Sequence, residues 1–333
     1  MKAGIKQISD ITGFSPATVS NALNKKRGVN LKTAEEIFRV AREIGYLANN
    51  TISKIKLVIY KKNGLIIDDT PFFTLLIAGI EQECRESGYE MVIGNLDARH
   101  PDYREQVKQL LHEPDTAIVL LGTELSAEDL KSYQKASCPI LLLDYWSFDM
   151  DFNAVLINNA DSARMAVNYL FTNGHRKIGY LKGKFRILGF RQRESGYHSA
   201  MRENGVEANG QFTVELSTTM NRAYRDMLDY LNTKPALPTA FFADNDMIAL
   251  GAMKALREKG YRIPEDISIV GFDDLPFCEI SSPRLTSMRV PKQEMGRLAV
   301  RKVIDMLHSS EDVCTKLQVC TKFIERESVK KLI

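Results

Sequence analysis

The stretch IKQISDITGFSPATVSNALN occupies residues 5–24 and has the pattern of a short helix, a glycine-containing turn and a second short helix. Gly13 permits a turn with positive φ, Ser15 has a side chain suited to capping a helix, and Pro16 suits the first helical position. Helices this short are unstable alone, so the pattern predicts that both pack on a third helix.

The outer face of the second helix is small and polar. Its members are Ala17, Thr18, Ser20, Asn21 and Asn24. The apolar residues of the two helices are Ile5, Ile8, Ile11, Val19, Ala22 and Leu23. A thin polar face can enter the DNA major groove and reach base edges. An ordinary helical hairpin on a protein surface has the same pattern, and these residues alone leave both interpretations open.

The distribution of charge favours the DNA interpretation. The 333 residues carry a net charge of +3, but the first 54 hold nine Lys and Arg against four Asp and Glu. Positive charge is therefore concentrated beside the helix pair, which indicates a polyanionic partner. The basic turn Lys25, Lys26 and Arg27 is predicted to contact phosphates. A third helix is predicted from about Leu31 to Glu43, with Asn30 as its cap and Gly45 at its end.

From Ile55 onward, strands alternate with helices. The predicted strands are 55–60, 89–93, 116–121, 140–143, 154–157, 177–182, 239–242 and 267–271, followed by a short strand near 285–289 and two brief ones near Gln318 and Phe323. The predicted helices are 73–87, 103–111, 161–173, 192–204, 223–231 and 246–259, and one after Pro291. This alternation predicts parallel sheets in two similar α/β lobes. The late strands predict several crossings between the lobes and a hinged cleft.

The sequence lacks the signatures of common enzyme sites. It contains no GxGxxG, GxxxxGK[ST], GxSxG or HExxH motif. The five cysteines are widely spaced without a CxxC pair, which is typical of reduced thiols in the cytosol. The first residues lack the apolar run of a signal peptide, and no stretch is long enough to span a bilayer. We therefore expect a cytoplasmic protein without catalysis, metal, cofactor or membrane contact.

Polar side chains follow several predicted strands at the edge where a cleft would lie. They are Asp144, Asp244, Asn245, Asp246, Asp273 and Asp274, with Arg191 and Arg193 near the start of a following helix. Acidic, amide and guanidinium groups together suit a polyhydroxylated ligand, because sugar hydroxyls both donate and accept. Phe72, Phe73 and Trp146 provide faces for stacking, or else are core aromatics. His175 follows a helix end and is interpreted as a capping or packing residue.

Several segments together identify a family. They are residues 5–24, EIGY at 43–46, NGHRKIGYL at 173–181, NDMIALGAMKAL at 245–256, PEDISIVGFDD at 264–274, LTSMR at 285–289 and ERES at 325–328. In this order they closely resemble the lactose-repressor/galactose-repressor (LacI/GalR) family of bacterial transcription regulators. The resemblance covers nearly the whole chain, and each segment alone is a weak signal.

The resemblance implies a helix-turn-helix headpiece joined to a two-lobed domain like periplasmic sugar-binding proteins. It also implies a homodimer on a pseudo-palindromic operator. By match to the family motif, Pro16, Ala17 and Asn21 read bases, and Thr18, Ser20 and Asn24 lie near the DNA backbone. Asn21 is suited to a bidentate bond with adenine. The matching effector contacts are Asp144, Arg193, Asn245 and Asp273, with Phe72 and Phe73 on the side of the first lobe.

The chain departs from the family pattern after the headpiece. The family has a short hinge helix there that inserts a leucine into the minor groove. Here that region starts at Asn49, Ile55 already belongs to a predicted strand, and Ala-Arg-x-Leu is absent. We therefore predict a shortened linker. The end of the chain lacks a leucine-heptad tail, which favours a dimer over a tetramer.

The predicted organisation has a three-helix headpiece at 1–47, a shortened linker at 48–54 and a two-lobed α/β domain at 55–333. The first lobe is assigned about 55–156 and 288–317, and the second about 157–287 and 318–333. We predict a repressor of carbohydrate-utilisation genes that responds to a sugar in the cleft. A nucleobase or a phosphorylated carrier protein remains open as the effector. A transport-type sugar-binding protein is less favoured, because it gives no reason for a helix-turn-helix.

Overall fold

The computed structural model describes residues 4–23, 29–44, 52–68, 70–113, 115–208, 210–308 and 313–332. Several sequence predictions lie outside the described residues. They concern Asn24, Lys25, Lys26, Arg27, Gly45 and residues 48–51 of the predicted linker.

Three helices form the headpiece: α1 (Ile5–Thr12), α2 (Pro16–Leu23) and α3 (Leu31–Glu43). Gly13 ends α1 with a φ of 73°, and its N–H donates to the carbonyl of Ser9 at 2.9 Å. The Ser15 hydroxyl accepts a hydrogen bond from the N–H of Thr18 at 3.1 Å. The Asn30 side chain caps α3 in the same way, at 2.8 Å from the N–H three residues on. The residues that end α1 and that cap the starts of α2 and α3 are thus the ones predicted from the sequence.

The three helices bury a small common core. Its members are Ile8, Val19, Ala22, Ile37, Val40 and Ala41. One predicted member, Ile11, is instead 54% exposed. The hydroxyl of Ser9 donates to the carbonyl of Phe14 at 2.5 Å and holds the turn so that the Phe14 ring packs on the core. The apolar stripe of α1 is therefore narrower than its isoleucine spacing predicts.

Twelve strands and nine further helices follow in alternation. The strands are β1 (Lys54–Lys61), β2 (Glu90–Asp97), β3 (Thr116–Leu121), β4 (Ile140–Leu143), β5 (Asn153–Ile157), β6 (Ile178–Gly183), β7 (Thr213–Leu216), β8 (Ala240–Ala243), β9 (Ser268–Asp273), β10 (Thr286–Arg289), β11 (Lys316–Val319) and β12 (Lys322–Ile324). The helices are α4 (Phe72–Glu86), α5 (Tyr103–Leu111), α6 (Ala127–Lys131), α7 (Asn159–Thr172), α8 (Leu188–Glu203), α9 (Met220–Asn232), α10 (Asp246–Glu258), α11 (Phe277–Ile280) and α12 (Lys292–His308). Both counts refer to the described residues.

The strands form two six-stranded sheets, one in each lobe. The first sheet has the order β11-β5-β4-β3-β1-β2, and the second β12-β10-β9-β8-β6-β7. All pairs are parallel except that of β10 with β12. Buried strands with helices on both faces are the arrangement that the sequence alternation predicts. The predicted fold class is confirmed.

The chain passes between the lobes at three places, all on one side of the molecule. It leaves the first sheet after β5, returns after β10 to form α12 on α4, and crosses again between β11 and β12. Gly79 and Gly296 permit α4 and α12 to touch, because a Cβ on either would lie within 2.2 Å of a main-chain oxygen. The crossing strands lie at one edge of each sheet, and β1, β2, β6 and β7 lie toward the other.

The predicted strands were all found, but β7 was missed. It has four residues, lies at the edge of the second sheet and is only half-buried. The short helices α6 and α11 were also not predicted. Helix α8 begins at Leu188, four residues before the predicted start, so Arg191 and Arg193 lie within its first two turns. The lobe boundaries remain a prediction.

His175 is a packing residue, as its position after a helix predicted. It is 1% exposed, and its ring nitrogens form hydrogen bonds with the Thr239 hydroxyl at 2.9 Å and the Lys330 carbonyl at 3.0 Å. Burial lowers its pKa. None of the helices in the described ranges has the length and apolar character needed to cross a membrane.

Candidate functional site

The polar face of α2 is accessible to a partner. Ser15, Pro16 and Ala17 are exposed, and Asn21 is half-buried. The Ser15 side chain is occupied in capping, since it bonds the N–H of Thr18 and lies 2.8 Å from the Thr18 hydroxyl. The Asn21 carboxamide forms no hydrogen bond with the described residues. Asn21 is therefore the reading-face side chain best prepared for a base contact.

The second candidate site lies where the carboxyl ends of strands from both sheets face each other. Asp144 follows β4 of the first sheet, and Asp273 ends β9 of the second. Burial raises the pKa of Asp144, and the charges of two residues of the facing lobe act on it as well, Arg193 lowering it and Asp273 raising it. Three of the predicted effector residues therefore come together across the cleft.

Arg193 is at the centre of this group and is 4% exposed. Its guanidinium donates to the Asn159 side chain at 2.9 Å, to the main-chain carbonyl of Asp244 at 2.6 Å and to Asp273 at 3.2 Å. It also lies 3.7 Å from the centre of the Phe272 ring. Arg193 is held by α7, by the main chain just after β8 and by β9 at once, and it therefore fixes the position of Asp273. Burial raises the pKa of Asp273, and Arg193 counteracts this.

The carboxylate of Asp244 is satisfied within the second lobe. It accepts hydrogen bonds from the Tyr180 hydroxyl, from the N–H of Gly183 at 2.8 Å and from Arg186. Arg186 in turn pairs with Glu194 at 2.9 Å. Burial raises the pKa of Asp244 to about 6, and Arg186 counteracts this. Asp244 therefore stabilises the wall of the cleft instead of facing a ligand.

Asn245 also has a local structural task, because it caps a helix. Its side-chain oxygen accepts from the N–H of Ile248 at 3.0 Å and caps α10. The residue is 5% exposed. Within the described part of the chain, its amide nitrogen has no hydrogen-bond partner and can meet an effector.

Asp144 and Asp273 both have unusual backbone conformations. Their φ angles are 61° and 107°, in the region that few residues other than glycine adopt. The hydroxyl of Thr123 donates to Asp144 at 2.7 Å. Burial raises the pKa of Asp144 to about 6, and it also raises the pKa of Asp273 against the effects of Arg193 and Lys292. A strained backbone, together with buried carboxyl groups of raised pKa that face each other, is typical of a ligand site.

The aromatic predictions divide into two groups. Phe72 and Phe73 start α4, are 5% and 7% exposed, and have ring centres 5.1 Å apart. The ammonium of Lys292 lies 5.5 Å from the Phe72 ring and donates to the main-chain carbonyl of Asp273. Lys292, which was not predicted from the sequence, thus lies between Phe72 and the main chain at Asp273.

Trp146 and Arg191 lie apart from this centre. Trp146 is half-buried against the outer core of the first lobe, and the Lys316 ammonium lies 5.1 Å from its ring. Arg191 is exposed. Burial raises the pKa of the nearby Tyr145 phenol, and Arg191 counteracts this.

Two residues of the site, Thr123 and Asn159, were not predicted from the sequence. The position of Thr123 just after β3 was the one signal for it.

The raised pKa of Asp144 leads to a prediction about pH. A carboxyl whose folded pKa lies above its unfolded value stabilises the fold at low pH, and this contribution is lost as the pH rises through about 6. We expect Asp144→Asn to be more stable than the parent by about 1–2 kcal/mol at pH 8, with a smaller difference near pH 4.5. Urea unfolding at both pH values measures this.

Asp149→Asn is the matched control, because Asp149 is an exposed residue of the loop between β4 and β5. Its stability difference from the parent is expected to be the same at both pH values. The prediction would be contradicted if the stability difference between Asp144→Asn and the parent were also the same at both pH values.

Comparison with known proteins extends over the whole chain. A family model described as a periplasmic binding protein-like domain matches residues 167–329. The HTH-type transcriptional repressor PurR of Vibrio vulnificus is 28% identical over 333 residues, covering 99% of each chain. The ribose operon repressor of Haemophilus influenzae is also 28% identical over 333 residues, with the same coverage of 99% of each chain.

Solved structures have the same fold along nearly their full length. The transcriptional regulator CelR in its cellobiose complex has a TM-score of 0.75 at 24% identity, covering 98% of this chain and 99% of CelR. The lac repressor dimer bound to operator and the anti-inducer ONPF has a TM-score of 0.73 at 22% identity, covering 99% of this chain and 100% of the repressor chain. A headpiece and two lobes are thus shared throughout.

Proposed function

Because the chain belongs to the lactose-repressor/galactose-repressor family of transcriptional regulators, we propose that it represses carbohydrate-utilisation genes under the control of a sugar bound between its lobes. The observation that carries this proposal is the convergence of Asp144, Asp273 and Arg193 from the two lobes. A ligand that joins these groups favours one relative position of the lobes over another. Such a difference in affinity is what effector control requires.

A sugar is the effector class that the cleft chemistry favours. Asp144 and Asp273 offer carboxylate oxygens, and Asn245 offers an amide nitrogen. Carboxylate acceptors on both sides suit a ligand with many hydroxyl donors. CelR was solved with cellobiose, and one curated relative is a ribose operon repressor, which supports the same ligand class here.

On DNA, we assign base contacts to Pro16, Ala17 and Asn21. Pro16 and Ala17 offer apolar contact, for example to a thymine methyl group, whereas Asn21 is suited to adenine. Thr18 and Ser20 are assigned to the DNA backbone, as are Asn24 and the basic turn that follows it. Ser15 contributes by fixing the start of α2.

The protein is proposed to act as a homodimer on a pseudo-palindromic operator. The lac repressor structure is a dimer on its operator. The second lobe of this chain exposes Phe277 (37%) and Ile280 (79%), which together with Leu250 and Met253 line one surface groove. A second copy related by two-fold symmetry would cover such apolar side chains.

Selection of DNA sites from random duplexes tests the regulatory function. At moderate salt, the purified protein should enrich a pseudo-palindrome, and native mass spectrometry should find two chains on each duplex. Binding without preference over random duplex would overturn the proposal.

A thermal-shift panel of mono- and disaccharides tests the effector class, since a ligand of the folded state alone raises the melting temperature. One or more sugars should do so. If nucleobases or a phosphorylated carrier protein raise the melting temperature and no sugar does, that ligand replaces the sugar as the proposed effector.

A further inference from the structure

This inference rests on the proposed function, which requires lobes that close on an effector; a contact between the lobes away from the crossings favours the closed form. We propose that the loop of residues 62–67, named the mouth loop, joins the lobes across the mouth of the cleft, and that Glu124 holds this loop in the shape that makes the contact. Glu124 acts as a positioning residue for effector retention.

The mouth loop is organised around one buried carboxylate. Glu124, in the segment after β3, is 2% exposed. One of its oxygens accepts from the N–H groups of Lys62, Asn63 and Gly64 at 2.8, 3.0 and 2.9 Å. The other accepts from the N–H groups of Ile66 and Ile67 at 2.9 and 3.3 Å. Five main-chain donors on one carboxylate define a single loop conformation, because hydrogen bonds to an ionised acceptor are strong.

Further contacts fix the middle of the mouth loop. Gly64 has a φ of 73°, which a side chain at this position would disfavour. The Asn63 side chain accepts from the N–H of Leu65 at 2.9 Å, and Arg99 donates to the Asn63 carbonyl at 3.0 Å. These contacts all lie within the first lobe. In the loop conformation that these contacts hold, the carbonyl of Leu65 is directed away from the first lobe.

The Leu65 carbonyl is bonded to the other lobe. It accepts from the hydroxyl of Thr218 at 3.0 Å, and Thr218 is 4% exposed. Thr218 follows β7, the edge strand of the second sheet farthest from the crossings, and the mouth loop follows β1, next to the corresponding edge of the first sheet. When the two lobes rotate about the three crossings, these two edges move farther apart than the parts of the sheets nearer the crossings. The Leu65–Thr218 bond therefore breaks when the lobes open.

This bond biases the lobes toward closure. A hydrogen bond of this type changes an equilibrium by about two- to tenfold. An effector inside the cleft leaves only after the bond has broken, so the bond slows effector release without touching the effector. Glu124 keeps the Leu65 carbonyl in place while the lobes are apart, so that the bond to Thr218 forms again when they close.

Thr218→Val tests the contact between the lobes. Valine keeps the shape of threonine and removes the donor. Thr172→Val is the matched control, because the Thr172 hydroxyl bonds the Asn168 carbonyl within α7 at 3.0 Å. Small-angle X-ray scattering of the full chain should give a larger radius of gyration for Thr218→Val than for the control. Identical scattering curves would overturn the contact.

Glu124→Gln tests the positioning role by hydrogen–deuterium exchange. In Glu124→Gln, an amide NH2 group replaces one carboxylate oxygen and cannot accept hydrogen bonds from the main-chain N–H groups of the loop. Amide hydrogens in peptides covering residues 62–67 should therefore exchange about tenfold faster or more. Thr218→Val should leave this exchange slow, because the Glu124 bonds remain. Slow exchange in Glu124→Gln would overturn the positioning role. Neither measurement uses DNA or a sugar, so their failure is distinct from failure of the proposed function.

Discussion

Arg193→Ala is expected to lower the free energy of unfolding of the second lobe by about 3–5 kcal/mol, because removing one partner of a buried ion pair leaves the other charge uncompensated. Asp273 would keep a carboxylate with 7% exposure and lose its guanidinium partner. The side chain of Asn159 and the carbonyl of Asp244 would lose their donors as well. This decrease in the free energy of unfolding is larger than the decrease expected when a side chain that only contacts an effector is removed.

Urea unfolding followed by circular dichroism measures this effect. Arg191→Ala is the matched control, since Arg191 lies on the same helix two residues earlier and is exposed. Its effect should stay within about 0.5 kcal/mol. Adding Asp273→Asn to Arg193→Ala should recover part of the loss by removing the stranded charge. Equal unfolding midpoints for the two single variants would contradict the buried role of Arg193.

The position of Arg193 could be predicted from the sequence, but its surroundings could not. Polar residues at strand ends and the family motif both indicate that Arg193 and Asp273 lie near the cleft. The contact with Asn159 joins residues 34 positions apart, and the contact with Asp273 joins residues 80 apart. Such pairs depend on how β8, β9 and α7 pack, which no local pattern contains. From the sequence alone, Arg193→Ala is predicted to remove the effector response and leave the fold intact.

The same limit explains Asn245. The sequence gives it two compatible tasks, since asparagine before a helix is a strong cap and asparagine at a strand end is a plausible ligand contact. The bond to Ile248 establishes the capping task. Contact of its amide nitrogen with an effector stays a proposal.

Local patterns performed best where burial is complete. Strands β3 and β4 are buried at every position, and their bounds were predicted without error. Strand β7 was missed because an edge strand of four residues needs few apolar side chains. Ile11 was misplaced for a related reason: helical spacing gives the direction of a side chain, whereas burial also depends on whether a partner lies there. In the headpiece, Phe14 packs on the core and Ile11 remains in solvent.

Asn21→Ala is expected to remove most of the sequence preference of the headpiece. A bidentate contact to a base contributes about 1–3 kcal/mol of discrimination. In a dimer the substitution occurs twice, so affinity for the selected operator should fall by about 30-fold to 10⁴-fold. The fold should be kept, because Asn21 is outside the headpiece core formed by Ile8, Val19 and their neighbours.

Fluorescence anisotropy with the selected operator and with a scrambled duplex separates loss of reading from loss of contact. Binding to the scrambled duplex and the slope of affinity against salt should be unchanged, because phosphate contacts carry both. Gln7→Ala is the control, since Gln7 is an exposed polar residue on α1, outside the reading face. If Asn21→Ala discriminates between the duplexes as well as Gln7→Ala does, base reading belongs to another side chain. Thr18 and Ser20 would then be tested next, because they share the polar face of α2 with Asn21.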